Sequence, residues 1–307
     1  MKIELHAQSD VGRIRQGNED NFLVLDLATA RSWTGSDREA EPPMPLRDFE
    51  LDGPGTVLVV SDGMGGALAG DVASRMAVET VREMLLGGGD EQPPPPDVPL
   101  VECLHNAAEY ANYAIHRRSL EDPRCSGMGA TLTAAAVTQD ALDFVQVGDS
   151  RAYIIRGDEI RLATKDQSLV QQLVDVGQIS EADAETHMFR NVILQALGAQ
   201  SELTPVMTRV PVRSGDIVLL CSDGLSGKLR ADEIRDIVLG AEGDLEAACK
   251  ALVEEANRRG GEDNITVVVA RFTGDDLPAP DTGPITVQHP YGERPTHGSE
   301  DDTTPSA

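Results

Sequence analysis

Short apolar runs of strand length recur along the chain and constrain its fold more than any other feature. They are rich in Val, Ile, Leu and Ala, and many of them end at Gly or Asp, which is typical of a β-strand followed by a turn. The runs cover residues 55–60, 130–137, 142–147, 152–155, 217–221 and 265–272. Gly148-Asp149-Ser150 and Gly157-Asp158 are short connections between neighbouring runs, so the sequence predicts an antiparallel meander over 141–163.

Three segments between these runs carry apolar residues at helical spacing. They are residues 70–86, 98–118 and 245–259, and Gly260-Gly261 predicts the end of the last one. Strand meanders combined with paired helices predict an α+β domain in which the helices pack on sheets.

Three other segments are polar and rich in Pro or Gly. The sequence predicts a poorly packed insertion over 29–53, a linker between two helices over 87–99, and a disordered acidic tail over 273–307. The folded domain is therefore expected to cover residues 1–272.

The charge and the cysteines exclude several classes of protein. With 52 acidic and 26 basic residues the net charge is −26, which argues against nucleic acid as a main partner. The four cysteines are scattered, so neither a zinc site nor a disulfide framework is indicated. No signal peptide and no apolar stretch of about 18 residues is present, and we expect a cytoplasmic protein without a membrane segment.

Four acidic clusters lie beside the apolar runs, where a strand meets a turn. They are Gly17-Asn18-Glu19-Asp20-Asn21, Ser61-Asp62-Gly63-Met64-Gly65-Gly66, Ser222-Asp223-Gly224 and Gly261-Glu262-Asp263-Asn264. Any one of them is an ordinary turn. Because strands of one sheet end side by side, several such clusters can bring carboxylates together, and oxygen ligands suit Mg²⁺ and Mn²⁺. Together they favour a metal site.

These clusters occur together with further motifs in a specific order. The order is Arg15 to Asp20, Asp62 to Gly66, Gly127-Met128-Gly129-Ala130-Thr131-Leu132, Gly148-Asp149-Ser150-Arg151, Ser222-Asp223-Gly224-Leu225 and Glu262-Asp263-Asn264. It resembles that of metal-dependent (type 2C, PPM) protein phosphatases of the bacterial kind, over roughly residues 1–272. Residues 166–198 look like the flap subdomain of that family. The resemblance implies a four-layer α-β-β-α sandwich, in which helix pairs flank two antiparallel sheets.

The resemblance also implies a binuclear metal centre. Asp62 would bridge two Mn²⁺ or Mg²⁺ ions, the Gly63 carbonyl would help to bind one ion, and Asp223 and Asp263 would bind the other. Asp149 matches a weaker third-metal ligand, although a hairpin turn residue is the alternative reading.

Other residues match supporting roles in the family. Glu19 and Asp20 would act through metal-bound waters or behind the ligands, and Arg15 would hold the substrate phosphate. Many eukaryotic members carry a histidine where this chain has Met64, so the acid that protonates the leaving group is not identified. His187, in the flap, is expected to be a packing or surface residue.

The expected activity is hydrolysis of phosphoserine and phosphothreonine in proteins by a water activated between two metal ions. Expected partners are phosphorylated proteins, with a Ser/Thr kinase and its targets among them, and we expect a monomer. One alternative is a catalytically silent, phosphoprotein-binding regulatory module on the same fold. A second is an interaction scaffold built on the tail and on residues 29–53.

Overall fold

Two antiparallel sheets stack face to face, and helices cover the outer face of each. The computed structural model describes residues 1–35, 44–65, 69–87, 94–95, 97–280 and 283–291. Its strands are β1 (Lys2–Asp10), β2 (Asp20–Asp26), β3 (Arg31–Thr34), β4 (Asp48–Glu50), β5 (Thr56–Met64), β6 (Gly129–Ala130), β7 (Leu132–Val137), β8 (Ala141–Val147), β9 (Arg151–Arg156), β10 (Glu159–Leu162), β11 (Val206–Pro211), β12 (Ile217–Cys221) and β13 (Ile265–Thr273).

The helices fall between these strands. They are α1 (Met44–Arg47), α2 (Ala69–Leu86), α3 (Leu100–Glu121), α4 (Leu169–Asp175), α5 (Glu181–Thr186), α6 (Asp223–Ser226), α7 (Ala231–Gly240) and α8 (Leu245–Arg258), with a 3₁₀ turn at Pro123–Cys125. Sheet 1 has the strand order β10-β9-β12-β13-β1-β4, and sheet 2 has the order β11-β8-β7-β5-β2-β3, with β6 paired to β5.

Alternating side chains divide each central strand between two cores. In β5, Leu58 and Val60 lie in the core between the sheets, whereas Val57 and Val59 pack against α2 and α3. Sheet 1 repeats the arrangement, because Val267 and its alternate neighbours pack against α7 and α8. Both faces of these strands are buried, which explains the continuous apolar runs. The predicted four-layer α+β fold is confirmed.

The six apolar runs predicted as strands are all strands, and the three predicted helices are all present. The sequence interpretation missed β1, β11 and α7. In β1, polar residues alternate with Ile3 and Leu5, which are buried, so the strand never forms an apolar run.

The expectation of a poorly packed segment over 29–53 is wrong for the part that the structure describes. Trp33 in β3 is 2% exposed and Leu46 in α1 is fully buried, and both belong to the core between the sheets. Their isolated apolar side chains fill gaps in a core with few aromatic residues. Residues 36–43 of this segment, and 88–93 and 96 of the predicted linker, lie outside the described residues.

The predicted tail also needs correction. β13 continues to Thr273, and residues 283–291, which we call the C-terminal strap, pack on the domain. Ile285 is 4% exposed in the core between the sheets, Gln288 pairs with Arg209 of β11, and the Tyr291 hydroxyl donates to Asp143 Oδ1 at 2.9 Å. The polar composition hid these few anchoring residues. Residues 281–282 and 292–307 lie outside the described residues.

The predicted flap, residues 166–198, contains α4 and α5 and is attached close to strand ends of both sheets. Its first part is anchored where Gln167 N donates to Gly148 O at 2.8 Å, and its last part where Leu197 pairs with Ala130. Among the described residues, no helix is long and apolar enough to cross a membrane.

Candidate active site

The candidate site lies at one end of the sandwich, where strand ends from both sheets meet. In sheet 2, β2 begins and β5 ends at this edge, and Asp20 is directly paired with Asp62. Side chains of such a cross-strand pair lie on the same face with Cβ atoms about 5 Å apart. Two clusters separated by about 40 residues in sequence are thus adjacent.

Sheet 1 contributes the other two clusters. β12 and β13 are antiparallel neighbours, so Asp223, which follows β12, and Asp263, which precedes β13, lie at the same end. Gly224 makes this approach possible, because a Cβ at that position would overlap the carbonyl oxygen of Asn264.

Two hydrogen-bonding residues join the first cluster to the third and the fourth. Ser222 Oγ donates to Asp20 Oδ2 at 2.7 Å and accepts from Thr266 N at 3.0 Å, which links the two sheets. Asn264 Oδ1 accepts from Glu19 N at 2.7 Å. From the sequence, both residues are recognisable only as parts of motifs, and the motifs assign no role to their side chains. The signal was present, since each one directly precedes or follows a candidate ligand.

The aspartates are close enough to perturb one another strongly. Burial, together with Asp20, Asp223, Asp149 and Asp263, raises the pKa of Asp62 well above its ordinary value. Burial is also the main reason that the pKa of Asp20 is raised to about 7. The structure therefore brings together the five aspartates named from the sequence, at an electrostatic cost that a cation would offset.

Two carboxylate oxygens in this cluster lack partners. Asp20 Oδ1 and Asp223 Oδ1 are buried without a hydrogen-bond donor among the described residues. A buried oxygen left unpaired is costly, and the surrounding ligand atoms are all oxygens, as Mg²⁺ and Mn²⁺ prefer. The residues therefore fit a divalent cation.

No three His, Cys, Asp or Glu side chains of the described chain are positioned to hold an ion as they stand. Burial, followed by the charge of Asp263, raises the pKa of Asp223, and the neighbouring Asp62 carboxyl group offsets part of that rise.

Asp149 lies at the edge of the cluster, in the turn between β8 and β9. Burial, followed by the charge of Asp223, raises the pKa of Asp149 to about 7. Behind it, the Arg151 guanidinium holds Asp166 with a shortest distance of 2.7 Å.

Glu19 and Gly63 pack where α2 begins. Glu19 is 8% exposed, and its carboxylate lies against Gly70, leaving no room there for a Cβ. Gly63 N donates to Glu19 O at 3.1 Å, and a side chain on Gly63 would overlap the backbone of Gly70. Gly66, the last residue of this motif, lies outside the described residues.

Arg15 lies over the cluster from the loop before β2. Its Nη2 donates to Asp263 Oδ2 at 2.8 Å, while its side chain stays 46% exposed and within reach of a substrate. His187 is engaged within the flap, where its Nδ1 accepts from Phe189 N at 3.2 Å and its ring contacts the Phe189 ring.

Comparison with known proteins identifies the family. The protein phosphatase 2C family model matches residues 48–263. The serine/threonine phosphatase stp of Listeria innocua is 34% identical over 267 residues, which are 86% of this chain and 95% of that protein. The crystal structure of the Mycobacterium tuberculosis serine/threonine phosphatase PstP/Ppp is 32% identical with a TM-score of 0.71, and the match covers 89% of this chain and all of the other.

A structure of the PstP catalytic domain in complex with two manganese ions is similar too, with 32% identity and a TM-score of 0.68 over 89% of this chain and 99% of that one. The fold and the acidic site define a phosphatase class, and the chain belongs to the protein phosphatase 2C family. Within it, the chain is a serine/threonine protein phosphatase, since it matches named enzymes of that activity over most of its length. The similarity favours the enzyme over a catalytically silent module.

Proposed function

We propose that the enzyme hydrolyses phosphoserine and phosphothreonine in proteins at two divalent cations, Mn²⁺ or Mg²⁺. Asp62 would bridge the cations, Asp223 and Asp263 would bind one, and the Gly63 carbonyl would help to bind the other. The observation that carries the proposal is the buried aspartate cluster, with two carboxylate oxygens that no donor among the described residues satisfies. The two manganese ions of the similar PstP catalytic domain support it.

The chemistry that such a cation pair supplies is activation of water near neutral pH and neutralisation of phosphoryl charge. The protein supplies the positions of the groups around it. Ser222 orients Asp20, and Asn264 orients the backbone at Glu19, so both acidic residues are held for cation hydration or ligand support. Asp149 is proposed as the ligand of a third, weaker cation site.

Arg15 is proposed to bind the substrate phosphate. A guanidinium donates two parallel hydrogen bonds to phosphoryl oxygens, and the partial exposure of Arg15 leaves donors available. Its ion pair with Asp263 aims it at the cluster. Met64 cannot donate a proton, so the leaving alkoxide is protonated by another group.

The partners follow from this chemistry. Phosphorylated proteins are the proposed substrates. We propose that a Ser/Thr kinase and the proteins that it phosphorylates are among them. The net charge of −26 supports the exclusion of nucleic acid.

The aspartate assignment is tested by replacing single carboxylates. Asp62→Asn and Asp223→Asn should each lower kcat on a phosphothreonine peptide by at least about 100-fold, because even residues behind metal ligands cost 10- to 100-fold. Calorimetric titration should show weakened Mn²⁺ binding in both variants. Asp236→Asn, at an exposed residue of α7, is the matched control and should behave like the wild type.

Full activity in both site variants would refute the assignment.

A separate assay distinguishes an enzyme from a silent module that binds phosphoproteins. After treatment with a chelator, the wild type should hydrolyse p-nitrophenyl phosphate only when Mn²⁺ or Mg²⁺ is restored.

A further inference from the structure

The loop formed by residues 11–17 borders the candidate site and carries an arginine, Arg13, beside the paired Arg15. Arg13 is exposed, and no carboxylate of the described chain lies within ion-pair distance of it. Two residues later, Arg15 is paired with Asp263. In a chain with 52 acidic and 26 basic residues, a cation left without a carboxylate beside an active site is available to a ligand.

Hydrogen bonds anchor the backbone of this loop, so the Cα atom of Arg13 has a defined position. Arg13 N donates to Gly261 O at 2.7 Å. Asn264 Nδ2 donates to both ends of the loop, to Val11 O at 2.9 Å and to Gly17 O at 3.0 Å. An anchored backbone reduces the entropy lost when the Arg13 side chain binds a partner.

The charge of the whole molecule indicates what that partner is. A net charge of −26 repels an acidic phosphoprotein over most of the surface, and only local cations can offset this near the site. Resting on the proposed function, in which Arg15 binds the phosphate, we propose that Arg13 is a specificity residue. It binds an acidic side chain next to the phosphorylated residue of the substrate.

The distance between Arg13 and Arg15 fits an acidic substrate residue close to the phosphorylated one, and not a distant residue. Arg13 and Arg15 are two residues apart, which spans at most about 7 Å of chain. A substrate peptide in extended form covers the same length in two residues. The acidic residue therefore lies one or two positions from the phosphorylated Ser or Thr.

The test compares two phosphothreonine peptides that differ only in having Glu or Gln at the positions flanking the phosphothreonine. The wild type should prefer the Glu peptide by about threefold to fivefold in kcat/KM, the size expected of an exposed ion pair. In Arg13→Gln this preference should disappear through KM while kcat is retained. Arg13→Glu should prefer a peptide with Lys at the same positions.

Arg31→Gln provides the matched control. Arg31 is also exposed and makes no ion pair with a described residue. In the β2–β3 ladder its backbone stands opposite Asp26, at the far end of β2 and six residues, or about 20 Å, from Asp20. It should keep the wild-type preference. The preference should also weaken as salt is raised from 0.05 to about 0.5 M, because exposed charges are screened.

An equal peptide preference in the wild type and Arg13→Gln overturns the inference, and so does a loss confined to kcat, which indicates a structural role. Hydrolysis of p-nitrophenyl phosphate separates this failure from that of the proposed function. Suppose that the wild type hydrolyses p-nitrophenyl phosphate with Mn²⁺, while the wild type and Arg13→Gln show the same peptide preference. In that case only the specificity inference fails.

Discussion

At Gly224, the absence of a side chain determines whether two candidate ligands can be neighbours. The turn of α6 passes so close to the start of β13 that a Cβ would overlap the Asn264 carbonyl oxygen. Asp223 and Asp263 flank this contact on the two chain segments. A glycine directly after an aspartate therefore has a packing function here in addition to its usual turn function.

Gly224→Ala should consequently lower both stability and activity. The added methyl has to push the two segments apart, and overpacking of this kind costs about 1–3 kcal/mol. Urea denaturation and phosphopeptide hydrolysis measure the two effects. Gly240→Ala is the control: no atom of the described residues lies within 4 Å of its Cβ position at the end of α7, and it should be neutral or stabilising by up to about 1 kcal/mol. Equal behaviour of the two variants would contradict the packing argument.

Much of the site was predictable at the level of single residues, but its connections were not. Acidic motifs beside apolar runs identified four of the five aspartates, because strand ends can be inferred from a local pattern, and the family resemblance added Asp149. Ser222 and Asn264 contact residues about 200 to 250 positions away. No local pattern encodes such contacts, since they depend on how the two sheets stack.

Among the elements, the C-terminal strap shows where composition misleads. Residues 283–291 are mostly polar, and the sequence predicted disorder for them. Ile285 N nevertheless donates to Glu159 of β10 at 3.1 Å, and the Ile285 side chain enters the core between the sheets. A single buried residue and a few hydrogen bonds suffice to attach a segment whose average composition is that of a tail.

Ile285→Ala should therefore destabilise the domain, unlike substitution of its neighbour. Truncation of a buried Ile costs about 2–5 kcal/mol, and we expect the lower end because the strap can detach instead of leaving a cavity. Thr286→Ala, at the adjacent exposed residue, should change the free energy of unfolding by less than about 0.5 kcal/mol. Urea midpoints of the two variants decide the point. If Ile285→Ala unfolds at the wild-type midpoint, the strap contributes nothing to stability.

For the whole molecule, the aspartate cluster lowers the stability of the folded state at the place where the proposed function needs it. Buried carboxylates crowded at one end of the sandwich are costly when charged, and the chain retains them where apolar residues would pack better. A bound cation stabilises the folded state because the unfolded chain lacks the assembled site. The free energy of unfolding should thus depend on pH and on metal together.

The direction of that dependence follows from the shifted groups. Burial raises the pKa of Asp20, and of Asp149, from 3.8 to about 7 in the folded protein. Between about pH 4 and pH 7 the folded state therefore holds more protons than the unfolded chain. The contribution of these groups to stability falls as pH rises through this window and stays low above it.

Urea denaturation in the presence of a chelator, at pH 5 and pH 8, should reveal this effect by comparison with Asp20→Asn. The variant cannot carry the buried charge, so its stability relative to wild type should increase with pH. The exposed control Asp236→Asn should show the same difference from wild type at both values. Excess Mn²⁺ at pH 8 should stabilise the wild type more than Asp20→Asn. If the gap between Asp20→Asn and wild type is the same at both pH values, the buried carboxylate is not the source of the pH dependence.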